Sequence, residues 1–285
     1  VHRFLTTLIA GLLLFAASSS HAADPPAFAT PWTSEHHARV RLIAGGPAVD
    51  SPRGTIAAGI EIELADGWKT YWRNPGSSGV PPQIDWAGSS NLASADLRFP
   101  APTRYADRGG DIIGYKHRLI LPVAVQPADP KRDVALTLDV EYGVCKDICI
   151  PVQARLELTL PPGAAEQPPT SELVQAFDRV PRPLAVRRVT DPKLHKAKVV
   201  LDGPAPMIRL DALFPGGTER ADVFVEAPDG LWVPMAKREG PRSDDTATFI
   251  VDLNDGADIA SLKGKSLRIT LVSPHGQSET TLKLD

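Results

Sequence analysis

Apolar and polar positions alternate from early in the chain. In "ARVRLIAG" (Ala38–Gly45), Val40, Leu42 and Ala44 fall on one face and Arg39, Arg41 and Ile43 on the other. "TIAAGIEIEL" (Thr55–Leu64) ends with Ile60, Ile62 and Leu64 interleaved with Glu61 and Glu63. A two-residue period of this kind predicts antiparallel strands with one buried and one wet face. Asp66-Gly67 marks a turn into "WKTYWR" (Trp68–Arg73), and further strands are predicted at Asp96–Phe99, Arg118–Val125, Val134–Tyr142 and Ala154–Leu160. The spacing predicts an all-β chain whose first half is two sheets packed face to face, a β-sandwich.

The texture changes between Pro161 and Pro183. "PPGAAEQPPT" has linker composition, and "SELVQAFDRV" (Ser171–Val180) is the one strong helical pattern. Ser171 occupies its capping position, Leu173, Val174, Phe177 and Val180 share a face, and Pro181 ends it. Seven short strands are predicted after it, at Lys196–Leu201, Met207–Asp211, Asp222–Ala227, Leu231–Met235, Ala247–Leu253, Leu267–Ser273 and Thr280–Leu284. That run predicts a second sandwich over 184–285, joined to a first (23–160) through the Pro-rich linker and short helix of 161–183. No repeat relates the halves, and the second carries neither a cysteine nor a catalytic constellation.

The first residues change the setting. Arg3, the apolar run Phe4–Ala17 and the small-x-small triplet Ser20-His21-Ala22 read as a secretory signal peptide over 1–22, with the cut after Ala22. The apolar run is shorter than the about 20 residues a membrane-spanning helix needs. The expected product is exported, with no direct membrane span and with its cysteines in an oxidising compartment. Loss of Arg3 moves the formal net charge from −3 to −4, and the interspersed signs leave no basic footprint for nucleic acid. The 28 prolines among 285 residues argue for many short strands over a helical bundle.

Candidate chemistry is sparse. There is no G-x-S-x-G and no Walker-type phosphate loop, and the His36-His37 pair reads as solvated surface. The only cysteines, Cys145 and Cys149, sit in "EYGVCKDICIPVQ". They supply half of the four ligands of a structural zinc site. The nearest histidine, His117, lies in another strand region, and Met207 and Met235 are the only soft auxiliaries for copper. No metal or cofactor is expected. In an extended strand the two Cα atoms would stand about 13 Å apart, whereas a disulfide needs roughly 4.4–6.8 Å. Lys146-Asp147-Ile148 must therefore turn, with Asp147 suited to a left-handed conformation. The flanking apolar runs favour a hairpin bridged at a sheet end. Closing so short a loop stabilises by about 2 kcal/mol, against about 4.7 for a hundred-residue loop. The residues alone leave a structural staple and an exchangeable redox pair both open.

A different reading starts from the aromatics of Trp68–Arg73, which fall on both strand faces. Exposed, they would suit a non-catalytic sandwich module that binds glycan or protein and keeps a structural disulfide. Trp68 and Trp72 are expected instead to fill the core.

Three stretches in order, "GWKTYWRNPGSSGVPPQIDW", "FPAPTRY…GGDIIGYKHRLILPVAV" and "VEYGVCKDICIPVQARLEL", resemble the N-terminal periplasmic domain of the thiol:disulfide interchange protein DsbD, in its ScsB-like branch. The resemblance covers roughly Ala38–Leu160. It implies that the sandwiches are immunoglobulin-like, that Cys145 and Cys149 are a redox pair, with Cys149 the attacking thiol, and that the protein is a thiol:disulfide interchange (protein-disulfide reductase) component. It also implies that Asp107, Arg108, Gly109, Gly110 and Asp111, at the start of the Asp107–Tyr115 stretch, form a mobile cap loop. The chain shows neither the transmembrane nor the thioredoxin-like domain of DsbD, and its cysteine spacing is shorter than in the best-known member. The implied partners are a membrane-embedded thiol reductant and periplasmic thioredoxin-like or other disulfide-bearing proteins, in cytochrome c biogenesis or envelope stress response.

Overall fold

A computed structural model describes residues 28–76, 79–106, 110–240 and 245–285. The signal-peptide stretch 1–22 lies outside them. Among the described residues, about half of the chain is strand and little is helix, and the fold is all-β and immunoglobulin-like.

The first sandwich contains β1 (Phe28–Ala29), β2 (Thr33–Glu35), β3 (Ala38–Pro47), β4 (Ile56–Leu64), β5 (Lys69–Gly76), β6 (Gln83–Asp85), β7 (Leu92–Leu97), β8 (Thr103–Tyr105), β9 (Ile112–Lys116), β10 (Arg118–Pro127), β11 (Val134–Cys145) and β12 (Cys149–Leu160). One sheet runs β1-β3-β4-β10-β7 with β2 on β3, and the other β12-β11-β5-β9-β8 with β6 on β11. Their inner faces share one core that includes Leu42, Ile60, Ile62, Leu121, Leu138 and Trp72. Trp68 and Trp72 are both buried, so neither offers a stacking platform for sugar rings.

The face of β3 and β4 expected to be wet is largely covered. Helix α1 (Ser171–Asp178) lays Leu173 and Phe177 on Ile43, Ala57 and Ala124. Gly59 admits this contact, because a Cβ there would stand 2.7 Å from Ile120 and 3.0 Å from Leu173. Glu61, read as solvated, is only 1% exposed. Its carboxylate accepts from Arg41 Nε (2.7 Å) and Arg118 Nε (2.6 Å), and Arg118 also reaches Glu172 of α1 at 3.0 Å. A buried charge persists when paired and hydrogen-bonded, and here the pairing draws the helix onto the sheet. The cap is Thr170, whose hydroxyl accepts from the Leu173 N–H, while Ser171 is the first helical residue. Val174 faces solvent, and Ala176 takes its expected place in the buried stripe.

The second sandwich contains β13 (Arg182–Pro183), β14 (Lys193–Val200), β15 (Met207–Leu213), β16 (Asp222–Glu226), β17 (Lys237–Glu239), β18 (Thr246–Asp252), β19 (Ser266–Ser273) and β20 (Gly276–Lys283), with a one-turn helix α2 (Ile259–Leu262) before β19. Its sheets run β13-β20-β19-β16 and β14-β15-β18-β17. A core of its own includes Phe214, Phe249, Leu210 and Leu271. The strand expected at Leu231–Met235 is absent. Pro234 removes a ladder donor there, and the apolar residues Val233 and Ala236 are buried from irregular backbone.

Candidate functional site

β11 and β12 form a continuous antiparallel ladder from Val134↔Leu160 to Cys145↔Cys149. Lys146, Asp147 and Ile148 close its tip, where the Lys146 N–H donates to the Ile148 carbonyl at 3.1 Å. Asp147 does not take the left-handed conformation expected of it. The tip bends without a positive φ and brings the cysteine Cα atoms to 4.2 Å, and the two sulfurs are joined in a disulfide.

The two cysteines sit in different environments. Cys145 is 2% exposed and packs with Tyr71 and Ile112, whereas Cys149 is exposed. The Tyr71 hydroxyl stands 2.8 Å from Cys145 Sγ and 3.0 Å from Cys149 Sγ. Disulfide sulfurs carry no proton, so Tyr71 is the donor in both contacts. Its ring is gripped from two sides: a Cβ on Gly79 would stand 2.4 Å from it, and one on Gly143 3.0 Å. The register sets this up, since β5 pairs with β11 at Val144↔Thr70 and the Thr70 hydroxyl donates to the Gly143 carbonyl at 2.9 Å. Sequence reasoning missed Tyr71. The signal was its strand parity, opposite to Trp68 and Trp72, which turns it away from the core those two fill.

A cleft of about 520 Å³ opens over the disulfide, walled by Tyr71, Val80, Pro81, Ile112, Tyr142 and Ile148. Ile148 (65% exposed) and Val80 (56%) present apolar surface at its mouth. Burial pushes the Tyr142 phenol well up from its ordinary value, with the Glu35 charge adding to the effect. Tyr142 therefore stays neutral at physiological pH. Of the expected cap loop, Asp107, Arg108 and Gly109 lie outside the described residues. Gly110 and Asp111 lead into β9, and the Asp111 carboxylate lies 3.5 Å from Arg104. Ile112–Tyr115 belong to β9 and are buried. His36 is exposed at a hairpin corner, and His37 stacks on Trp68 with ring centroids 4.0 Å apart.

A buried and an exposed cysteine, bridged at a hairpin tip under an open cleft, are the parts a disulfide-exchange domain needs. Residues 39–161 match the family model described as thiol:disulfide interchange protein DsbD, N-terminal. The resemblance read from the sequence is thus met by a DsbD N-terminal family model over the first sandwich. The crystal structure of the N-terminal periplasmic domain of ScsB from Proteus mirabilis superposes with a TM-score of 0.66 at 20% identity, covering 90% of this chain and 98% of that one. The shared fold thus extends over both sandwiches. No curated protein sequence matches the chain. The match to the DsbD N-terminal model and the Cys145–Cys149 bridge fit thiol–disulfide interchange.

Proposed function

We propose that the protein is a periplasmic thiol–disulfide exchange component that relays electrons through Cys145 and Cys149. The donor would be a separate membrane-embedded reductant and the acceptors periplasmic thioredoxin-like or other disulfide-bearing proteins. In this reading 1–22 is a signal peptide, 23–160 the exchange domain, 161–183 the linker and 184–285 a second sandwich, with 107–111 as cap loop.

The observation that carries the reading is the asymmetry of the sulfurs: Cys149 is open to a partner and Cys145 is shielded behind Tyr71 and Ile112. In the reduced protein the Cys149 thiolate attacks one sulfur of an acceptor disulfide. A mixed disulfide forms and the acceptor's other sulfur leaves as a thiolate. Cys145, deprotonated in turn, attacks Cys149, which closes the Cys145–Cys149 bond and releases the acceptor's second thiolate. The acceptor gains two electrons, and a donor dithiol running the same steps in reverse restores the pair. Val80 and Ile148 at the cleft mouth supply apolar contact for a docking partner.

A redox titration of the purified protein tests this. Structural bridges of secreted proteins have potentials below about −300 mV; the proposal expects a midpoint above that limit. It also expects the Cys145→Ala variant to hold a mixed disulfide through Cys149. A midpoint below the limit would establish the bridge as a staple.

A further inference from the structure

One wall of the disulfide cleft is continuous with a strand that the second sandwich grips, and the other is paired with such a strand. β5 passes from Tyr71, at the sulfurs, to Trp72, Arg73 and Asn74 before the chain returns at Gly79–Pro81 as a cleft wall. Trp72 meets Phe224 of β16 with ring centroids 5.6 Å apart and planes inclined at 58°. Phe224 belongs to the core of the first sandwich, and Met235 and Val272 pack against that core from the second. Arg73 lies 4.6 Å over the Trp72 ring. It donates to both Glu226 oxygens (Nε 2.9 Å, Nη2 2.8 Å) and to Glu279 at 2.6 Å. Asn74 donates to the Val225 carbonyl at 3.4 Å.

The second wall is fastened the same way. On β8, Arg104 makes a two-pronged contact to Asp222 at 2.8 and 2.9 Å and reaches the Ala236 carbonyl at 3.0 Å. Its other side faces Asp111, which precedes Ile112 in the cleft beside Cys145. Paired guanidinium–carboxylate forks fix orientation as well as distance. Both are mostly shielded from water, with the arginines 21% and 19% exposed.

We propose that the second sandwich is a brace for the redox cleft, in which Arg73 and Arg104 are positioning residues and Glu226 and Asp222 set how readily Cys149 is attacked. This rests on the exchange function proposed above. No atom of Glu226 or Asp222 contacts either cysteine, so any effect travels through β5, β8 and β9.

The test uses the full chain carrying Asp222→Asn, Glu226→Gln or both, which keep side-chain size. The readouts are the rate of disulfide reduction by dithiothreitol and amide hydrogen exchange at Gly79, Val80, Gln83 and Ile112–Tyr115. The expected result is at least threefold faster reduction and at least tenfold faster exchange at those amides. Phe249→Leu, within the second sandwich's own core, controls for general loosening and is expected to leave both at wild-type values. Wild-type values in folded interface variants overturn the brace, as does an equal effect from Phe249→Leu. Should the double variant lose its second sandwich, the single variants decide by the same criteria. Failure of the exchange function is separately visible as a wild-type disulfide that dithiothreitol does not reduce, and hydrogen exchange then still decides the brace.

Discussion

Removing one oxygen atom tests the geometry around the sulfurs most directly. Tyr71→Phe keeps the ring between Gly79 and Gly143 and deletes the hydroxyl that stands 2.8 and 3.0 Å from Cys145 and Cys149. In the reduced protein that hydroxyl is placed to donate to the Cys149 thiolate. Hydrogen bonds to charged groups are worth about 1.5–3 kcal/mol, so loss of this one shifts the thiol–thiolate equilibrium toward the thiol by about 10- to 100-fold. The more basic thiolate is intrinsically more nucleophilic, with a Brønsted slope of about 0.4–0.5. That recovers roughly half of the loss on a logarithmic scale. The net expectation is about a 3- to 10-fold slower reaction. The assay is iodoacetamide alkylation at pH 7 in a Cys145→Ala background, where Cys149 is the only thiol, with and without the Tyr71→Phe substitution. Thermal unfolding should stay near the parent value because the packing is kept. Alkylation of the substituted protein at the parent rate refutes the argument, since the hydroxyl would then do nothing for the thiolate.

Two further outcomes concern stability. Leu173→Ala empties the fully buried contact of α1 with Ile43 and Ala57; a loss of about 2–5 kcal/mol is expected in urea unfolding. Asp191 is fully buried, and burial pushes its carboxyl pKa up. The Arg182 contacts at 2.6 and 2.7 Å and the Arg188 N–H outweigh burial and hold the carboxyl below its ordinary value. A carboxylate depressed in the folded state stabilises above its unfolded pKa, and that contribution is lost as pH falls through the folded value. The stability gap between wild type and Asp191→Asn is therefore expected at neutral pH and should shrink on acidification below pH 3.8. A gap that stays constant across an acid titration refutes the assignment.

What was legible in the sequence follows from how local each signal is. The alternation of β11 and β12 and the two cysteines at their junction lie in one stretch, so the bridged hairpin could be argued from strand geometry alone. The redox reading was not in those residues, which left a staple open; it came with the resemblance of the flanking stretches. Glu61 reads as solvated because its partners Arg41 and Arg118 and the overlying α1 come from distant positions. Thr170 in place of Ser171 is a shift of one residue, within the ordinary ambiguity of helix ends. Leu231–Met235 has strand composition, but Pro234 denies it a ladder. The contacts of Arg73 and Arg104 with the second sandwich span 118 to 206 positions, a distance at which no spacing pattern carries information. Tyr71 stands between these cases: its parity was visible, but its neighbours were not.

Under the proposed exchange function, the uninterrupted ladder beneath the cysteines bears on how a partner would tell one redox state from the other. Twelve consecutive pairs run up to Cys145↔Cys149, so opening the sulfur–sulfur bond leaves every backbone pairing below it in place. In the proposed exchange the tip would gain two electrons and two protons without losing its scaffold. A scaffold held this way would keep the shape of the hairpin nearly constant through the proposed transfer, leaving the Tyr71 ring and the cleft walls beside it to signal the redox state. A chemical event confined to two atoms would then be read out by its neighbours, with the hairpin a fixed terminal and the surrounding segments the message.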